Sequence, residues 1–263
     1  MTGAPSDRGF TGATRNPGLQ LDPSAILYED NHLIVINKKA GEIVQGDITG
    51  DLPLNEMLKQ YVKTKYNKPG EVYLGVPHRI DRPTSGIVMF CRNSRSLERI
   101  NQMFKDKTIK KTYWAVVKNQ PPEEADTLIH WVKKKEQQNK TYSYDKEVDG
   151  SLYAELDYKI ISESDYYYLL EINLKTGRHH QIRSQLAKIG CPIKGDVKYG
   201  FDRPNQDGSI HLHARKISFI HPMKKELIEL TAPVPDEPLW KYFEKKLMEE
   251  NGEQPNDHFK SSL

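Results

Sequence analysis

The chain has 263 residues, with 39 Lys and Arg against 36 Asp and Glu and a formal net charge of +3. That length can bury a substantial core in one large domain, while the near-neutral total identifies neither a nucleic-acid nor a membrane partner. Two cysteines, Cys91 and Cys191, exclude a disulfide framework and a thiolate-rich metal site and predict a reducing, cytoplasmic setting; no apolar run exceeds Ile87-Val88-Met89-Phe90-Cys91, far short of the ~20 residues a spanning helix needs, and the N-terminus does not read as a secretion leader.

Residues 1–24 are rich in Gly, Pro, Ser, Thr, Asp and Asn without apolar periodicity, and read as a disordered tail. Leu33-Ile34-Val35-Ile36, closed by Lys38-Lys39-Ala40-Gly41, predicts a buried strand. Leu54, Met57, Leu58, Tyr61 and Val62 recur at helical spacing. Ser85-Gly86 opens a second buried strand at Ile87-Val88, and Leu97, Ile100 and Phe104 predict a second helix. Strands are expected over 112–117, 140–144, 153–161 and 166–174, with 120–139 read as an insertion. Ile182, Leu186 and Ile189 mark a third helix, 211–220 and 226–230 two more strands, and Leu239, Phe243 and Leu247 a fourth helix. Residues 249–263 look like a second disordered tail. The helices lack the regular alternation of a doubly wound sheet. The expected class is therefore α+β, a mixed, largely antiparallel β-sheet with flanking helices, in one domain spanning 25–248.

Charge is sorted along the chain. Residues 105–118 hold five lysines and one acid, 175–203 hold seven bases and two acids, and 145–171 hold eight acids and two bases. If the two basic segments meet, they present a positive surface suited to a phosphate backbone; a set of solvated lysines is the plainer alternative.

Four segments carry chemistry. In His78-Arg79-Ile80-Asp81-Arg82-Pro83-Thr84-Ser85-Gly86, two arginines flank one carboxylate and favour its ionised form, as a nucleophile or general base requires; a structural ion-pair corner would look the same. In Thr176-Gly177-Arg178-His179-His180-Gln181-Ile182-Arg183, a glycine turn launches a helix whose first turn offers an anion site. Arg183 neighbours the apolar stripe, so its guanidinium points partly inward and needs a carboxylate, for which Asp81 is the candidate. His179 and His180, being adjacent, are expected to point apart. Lys110-Lys111-Thr112-Tyr113-Trp114 is a basic strand start whose aromatics are either sheet packing or a stacking surface for a base. Finally, Ile210-His211-Leu212-His213 places two histidines on one strand face. Without further ligands they make a poor metal pair. Gly46-Asp47, Gly50-Asp51 and Gly195-Asp196 read as turns.

Together these segments resemble the RluA family of RNA pseudouridine synthases. His78 to Gly86 is similar to that family's His-Arg-Leu-Asp-x-x-Thr-Ser-Gly, with Ile80 in place of Leu; Lys111, Tyr113 and Ala115 match its Lys-x-Tyr-x-Ala, and the segment from Thr176 to Arg183 its Thr-Gly-Arg-x-His-Gln-Ile-Arg. Gly195-Asp196, Tyr199-Gly200, Leu212-His213-Ala214 and His221-Pro222 continue the likeness, which covers about 26–243. The resemblance implies the pseudouridine synthase catalytic fold and an isomerase that converts uridine to pseudouridine in transfer RNA, ribosomal RNA or both, with no cofactor and no metal. It implies Asp81, Tyr113 and Arg183 as catalytic residues. Arg79 would occupy the space left by a flipped base, and His78, Arg82, Arg178, His180, Gln181, Lys194, Lys198 and Leu212 would bind substrate or RNA. Many family members carry a small RNA-binding domain ahead of the catalytic one; the short tail before Tyr28 here resembles the compact type, a monomer without membrane association. The 120–139 segment is a candidate RNA contact. A catalytically inactive RNA-binding homologue, and a metal-dependent phosphoesterase using His211, His213 and Asp81, are the alternatives.

Overall fold

The computed structural model describes residues 21–46, 50–250 and 252. Most of the two expected tails, and Asp47, lie outside the described residues. Of their described parts, Asp22 caps a 3-10 turn at Pro23–Ala25, and the last helix runs on to Glu250.

Ten strands form one sheet among the described residues: β1 (Ile26–Glu29), β2 (Leu33–Lys38), β3 (Ser85–Cys91), β4 (Lys110–Val117), β5 (Ala125–Lys135), β6 (Lys140–Tyr144), β7 (Leu152–Glu163), β8 (Tyr168–Leu174), β9 (Leu212–Ile220) and β10 (Leu227–Thr231). The spatial order is β1-β2-β3-β9-β4-β8-β7-β5-β6, and β10 pairs with the far half of β9. Every pairing is antiparallel except the short contact of β3 with β9. Helices α1 (Leu54–Lys65), α2 (Ser94–Lys105), α3 (Gln181–Lys188) and α4 (Pro238–Glu250) flank the sheet. This is the mixed, largely antiparallel α+β class that the pattern predicts.

The continuous apolar runs of β2 and β3 follow from burial on both faces. Leu33, Val35, Ile87 and Met89 join Tyr113, Ala115 and Leu170 in one core under Ile100 of α2 and Ile182 and Leu186 of α3. Their neighbours Ile34, Ile36, Val88 and Phe90 face the other way, onto Leu54, Met57, Leu58 and Val62 of α1. Further along that opposite face, Trp114, Val116 and Leu169 pack on Trp240 and Phe243 of α4.

Segment 120–139, expected as an insertion, folds as part of the sheet. It contains β5, which pairs with β7 from Ala125 to Val132 and with β6 from Trp131 to Lys135. Leu128, His130 and Val132 are buried in alternation, but the inward His130 is polar and the outward Ile129 is exposed, which hides the period of two. Gln185 of α3 answers the buried polar atoms, its Nε2 lying 3.0 Å from both Leu128 O and His130 Nδ1.

Two contacts fix the loop that precedes β3. Gly86 faces Ala214 of β9 in parallel register with φ +109°, and a Cβ there would overlap the Ala214 backbone. Lys38, fully buried at the end of β2, donates from Nζ to the carbonyls of Lys39 (2.8 Å), Arg82 (3.1 Å) and Thr84 (2.8 Å). Its ammonium therefore holds the loop's backbone where other chains would use a strand partner. Burial, opposed by Glu42 and Asp81, lowers it to about 7.

Gly86→Ala is expected to destabilise the fold by about 3 kcal/mol or more, since both clash and backbone conformation oppose it; an unchanged urea midpoint would contradict the close β3–β9 contact. Lys38→Met gives a pH-dependent difference. Below about pH 7 Lys38 is protonated folded or unfolded, and the penalty of burying its charge is complete. Between there and about 10.4 the unfolded state binds the extra proton, so this residue's contribution to stability rises with pH. Urea unfolding from about pH 7.5 to 9.5 should show the wild type gaining on Lys38→Met by on the order of 1 kcal/mol per pH unit. A pH-independent difference would show that Lys38 does not titrate in that window.

Candidate active site

Asp81 sits on the irregular loop between α1 and β3, and its turn is closed by Thr84 N–H donating to Asp81 O at 3.0 Å. Its carboxylate is about a quarter exposed. Arg183, from the first turn of α3, reaches it with Nη1 at 2.9 Å from Asp81 Oδ2. The flanking arginines that suggested an ionised carboxylate behave differently: Arg82 pairs with Asp51 and Arg79 is exposed. The guanidinium comes from 102 residues away.

Arg183 is itself almost wholly buried and has a second carboxylate. Its Nε and Nη2 donate to Asp196 Oδ2 and Oδ1 at 2.6 and 2.9 Å, a bidentate fork onto a side chain only 1% exposed. Asp196 thus fixes the guanidinium plane and leaves Nη1 to orient Asp81. Sequence reasoning read Gly195-Asp196 as turn chemistry; the missed signal was that an inward guanidinium has five donors and can take two carboxylates.

His180 also faces Asp81, with Nε2 3.5 Å from Oδ2. Contrary to expectation, His179 and His180 do not point apart. They precede α3 rather than belonging to it, and the left-handed backbone of His180 (φ 48°) stacks the two rings at 3.8 Å between centroids, 20° from parallel. Burial, reinforced by Arg183 and His179, lowers His180 to about 2, so it is neutral across the working pH range. Tyr113 on β4 points into the core beside the site. Burial, then the negative charge of Asp81, raises its phenol well above the usual value, which keeps the hydroxyl protonated.

The two basic segments are brought side by side: Lys194 N–H donates to Val116 O at 2.8 Å and Val117 bridges Ile193. Arg178 and Lys198 are exposed and donate to the carbonyls of Tyr153 (2.9 Å) and Asn139 (3.2 Å). Lys194 is half-buried on Asn205 Oδ1 at 2.9 Å. Three residues expected to bind RNA face inward instead. His78 Nε2 accepts from Met89 N–H at 3.0 Å with its ring against Phe104; Gln181 bonds Thr176, Arg178 N–H, Glu155 O and Gln185; Leu212 is in the core between β3 and β4. They shape the site from behind.

His211 and His213 are structural by contact. His211 lies 3.0 Å from both Glu237 Oε2 and Asn205 Nδ2, His213 lies 2.9 Å from Ser85 Oγ, and both rings rest on Trp240. Among the described residues no group of three or more His, Cys, Asp or Glu could hold a metal ion.

With this geometry in place, comparison with known proteins is specific. The family model for RNA pseudouridylate synthase matches residues 32–188. An uncharacterized RNA pseudouridine synthase, YlyB of Bacillus subtilis, is 32% identical over 81% of this chain and 69% of its own length. Ribosomal large subunit pseudouridine synthase C of Buchnera aphidicola is 32% identical over 80% and 67%. Among solved structures, human RNA Pseudouridylate Synthase Domain Containing 4 superposes with a TM-score of 0.67 at 23% identity, covering 89% of this chain and 95% of its own, which supports the same fold. The family-model match over more than half of the chain, with relatives 32% identical over four fifths of it, places this chain in the RluA-type family of RNA pseudouridine synthases, isomerases that act on RNA.

Proposed function

We propose that the enzyme isomerises uridine within folded transfer or ribosomal RNA, with Asp81 as its essential carboxylate and residues 25–248 as the catalytic domain. The observation that carries this reading is the accessible Asp81 carboxylate oriented by Arg183, whose other side is locked by buried Asp196. In the reaction the C1′–N1 bond breaks, the C1′–C5 bond forms, C5 loses a proton and N1 gains one. Atoms and electrons balance within the substrate, so the chemistry calls for no cofactor or metal. Asp81 acts at the ribose or the base. Tyr113 stacks on the target base and, as a protonated phenol, can donate but not accept its proton. The target must leave the helical stack to reach these groups, and exposed Arg79 fills the space left behind.

Arg82, Arg178, Lys194 and Lys198 serve as phosphate contacts that set affinity. The hairpin of β5 and β6 extends that surface: Thr141 touches His179, and Lys134 and Lys140 lie on the same hairpin. Ribosomal RNA as a substrate is supported by curated relatives named for the ribosomal large subunit; transfer RNA is the other substrate of compact members of this family. No helix of the described residues is long and apolar enough to cross a membrane; the proposed enzyme is cytoplasmic and works as a monomer.

Asp81→Asn should lower the turnover number at least a thousandfold, or about 4 kcal/mol in the barrier, while leaving RNA affinity within a few-fold because backbone contacts dominate it. Pseudouridine mapping of transfer and ribosomal RNA from cells lacking the protein, restored with wild type or Asp81→Asn, is the direct test. Sites that return with both proteins would overturn the assignment of Asp81. Arg183→Ala leaves Asp196 buried without its partner and should destabilise the fold by about 3–5 kcal/mol; a melting temperature equal to that of the wild type would show that the pair carries no structural load.

A further inference from the structure

One side chain that the reaction does not itself require touches both partners of Asp81. Tyr199 is buried, and its hydroxyl accepts the backbone N–H of Thr141 at 2.8 Å while lying 2.9 Å from His180 Nδ1. The amide takes one lone pair of the hydroxyl, and among the described contacts only His180 Nδ1 can accept the hydroxyl's own hydrogen. With that hydrogen directed at Nδ1, the ring proton sits on Nε2, the nitrogen that faces Asp81. The face of the Tyr199 ring meanwhile lies 5.0 Å from Arg183 Cζ, and its edge meets the His180 ring at 5.7 Å.

We propose that Tyr199 is a positioning residue: its hydroxyl holds His180 as the neutral Nε2–H tautomer aimed at Asp81, and its ring backs the guanidinium of Arg183. This deepens the catalytic assignment of Asp81 and rests on it. The arrangement gives the carboxylate one full positive charge and one N–H dipole. A second cation in place of that dipole would draw more charge from the nucleophile, and the opposite tautomer would set a lone pair against the carboxylate. The charged groups around His180 are Arg183 on α3, Lys134 on β5, Lys198 next to Tyr199, and Asp81 on its loop. His179, stacked behind, is tied to the same hairpin through Thr141 Oγ1 at 2.8 Å. The edge hairpin thus sets the tautomer through a backbone amide, independent of which side chain occupies position 141.

The test reads the tautomer and the kinetics separately. Nitrogen-15 spectra of histidine-labelled protein, with the His180 signals identified by their loss in His180→Gln, should show the Nε2–H form without titration between about pH 6 and 8. Tyr199→Phe keeps the ring and removes the hydroxyl. It should leave His180 in mixed tautomers and lower kcat about fivefold to tenfold with KM within twofold, the loss of one oriented hydrogen bond. Tyr199→Leu, which also removes the ring behind Arg183, should lose more. An Nδ1–H or doubly protonated His180 in the wild type overturns the proposal, and so does wild-type kcat in Tyr199→Phe. Should Asp81→Asn remain active, the catalytic reading fails by itself, while the wild-type spectrum still decides whether Tyr199 sets the tautomer.

Discussion

The site depends on one buried guanidinium. Arg183 cannot stay charged in the interior without carboxylates, and the chain supplies two of unequal character. Asp196 is enclosed and takes the fork, whereas Asp81 is partly open and takes the remaining donor. One arginine against two carboxylates leaves the cluster with a formal net negative charge, and the carboxylate open to solvent is Asp81. The same contact ties α3 to the loops on either side of it. Disturbing the pair therefore disturbs both the packing of α3 and the aim of Asp81.

The sheet explains why so irregular a loop can be so well placed. Loop 76–84 has few strand partners of its own, yet its carbonyls are taken by the Lys38 ammonium, by Gly41 N–H on Arg82 O at 2.8 Å, and by Ile210 N–H on Pro83 O at 3.1 Å. It then enters β3 beside β9 at Gly86, where only a residue without a side chain admits the close approach. The Asp81 loop is thus held at its exit by the sheet and near its end by donors from two neighbouring segments. A lysine used in this way is a structural element, and its depressed ionisation follows from the burial the task requires.

Much of this was legible in the sequence, for identifiable reasons. Strands β2 and β3 announce themselves because both faces are buried, and the four helices because each shows one apolar stripe. The pairing of Arg183 with Asp81 followed from a single electrostatic requirement applied to a residue beside the apolar stripe of α3. Strand β5 was hidden because His130 faces inward, where Gln185 meets its ring, and Ile129 faces outward. Asp196 was hidden because Gly-Asp also marks a turn, and composition cannot tell a turn aspartate from a buried ligand of arginine. The parallel rings of His179 and His180 depend on a positive φ at a non-glycine residue, which no periodicity reveals.

The protonation states around Asp81 narrow what the reaction can use. Tyr113 is held as a phenol by burial and by the charge of Asp81. His180 is neutral, with Nδ1 at the Tyr199 hydroxyl and Nε2, the protonated nitrogen in the proposed tautomer, toward Asp81. Arg183 is a permanent cation. On the proposed reading, none of these three offers a basic lone pair to the proton that leaves C5, so among the groups on the Asp81 carboxylate the acceptor is Asp81 itself. A carboxylate joined to the ribose or the base could not fill that role until it was released. Proton removal then follows the departure of Asp81 from any bond it has formed, and on this reading both events take place on the open side of the carboxylate, away from Arg183 Nη1.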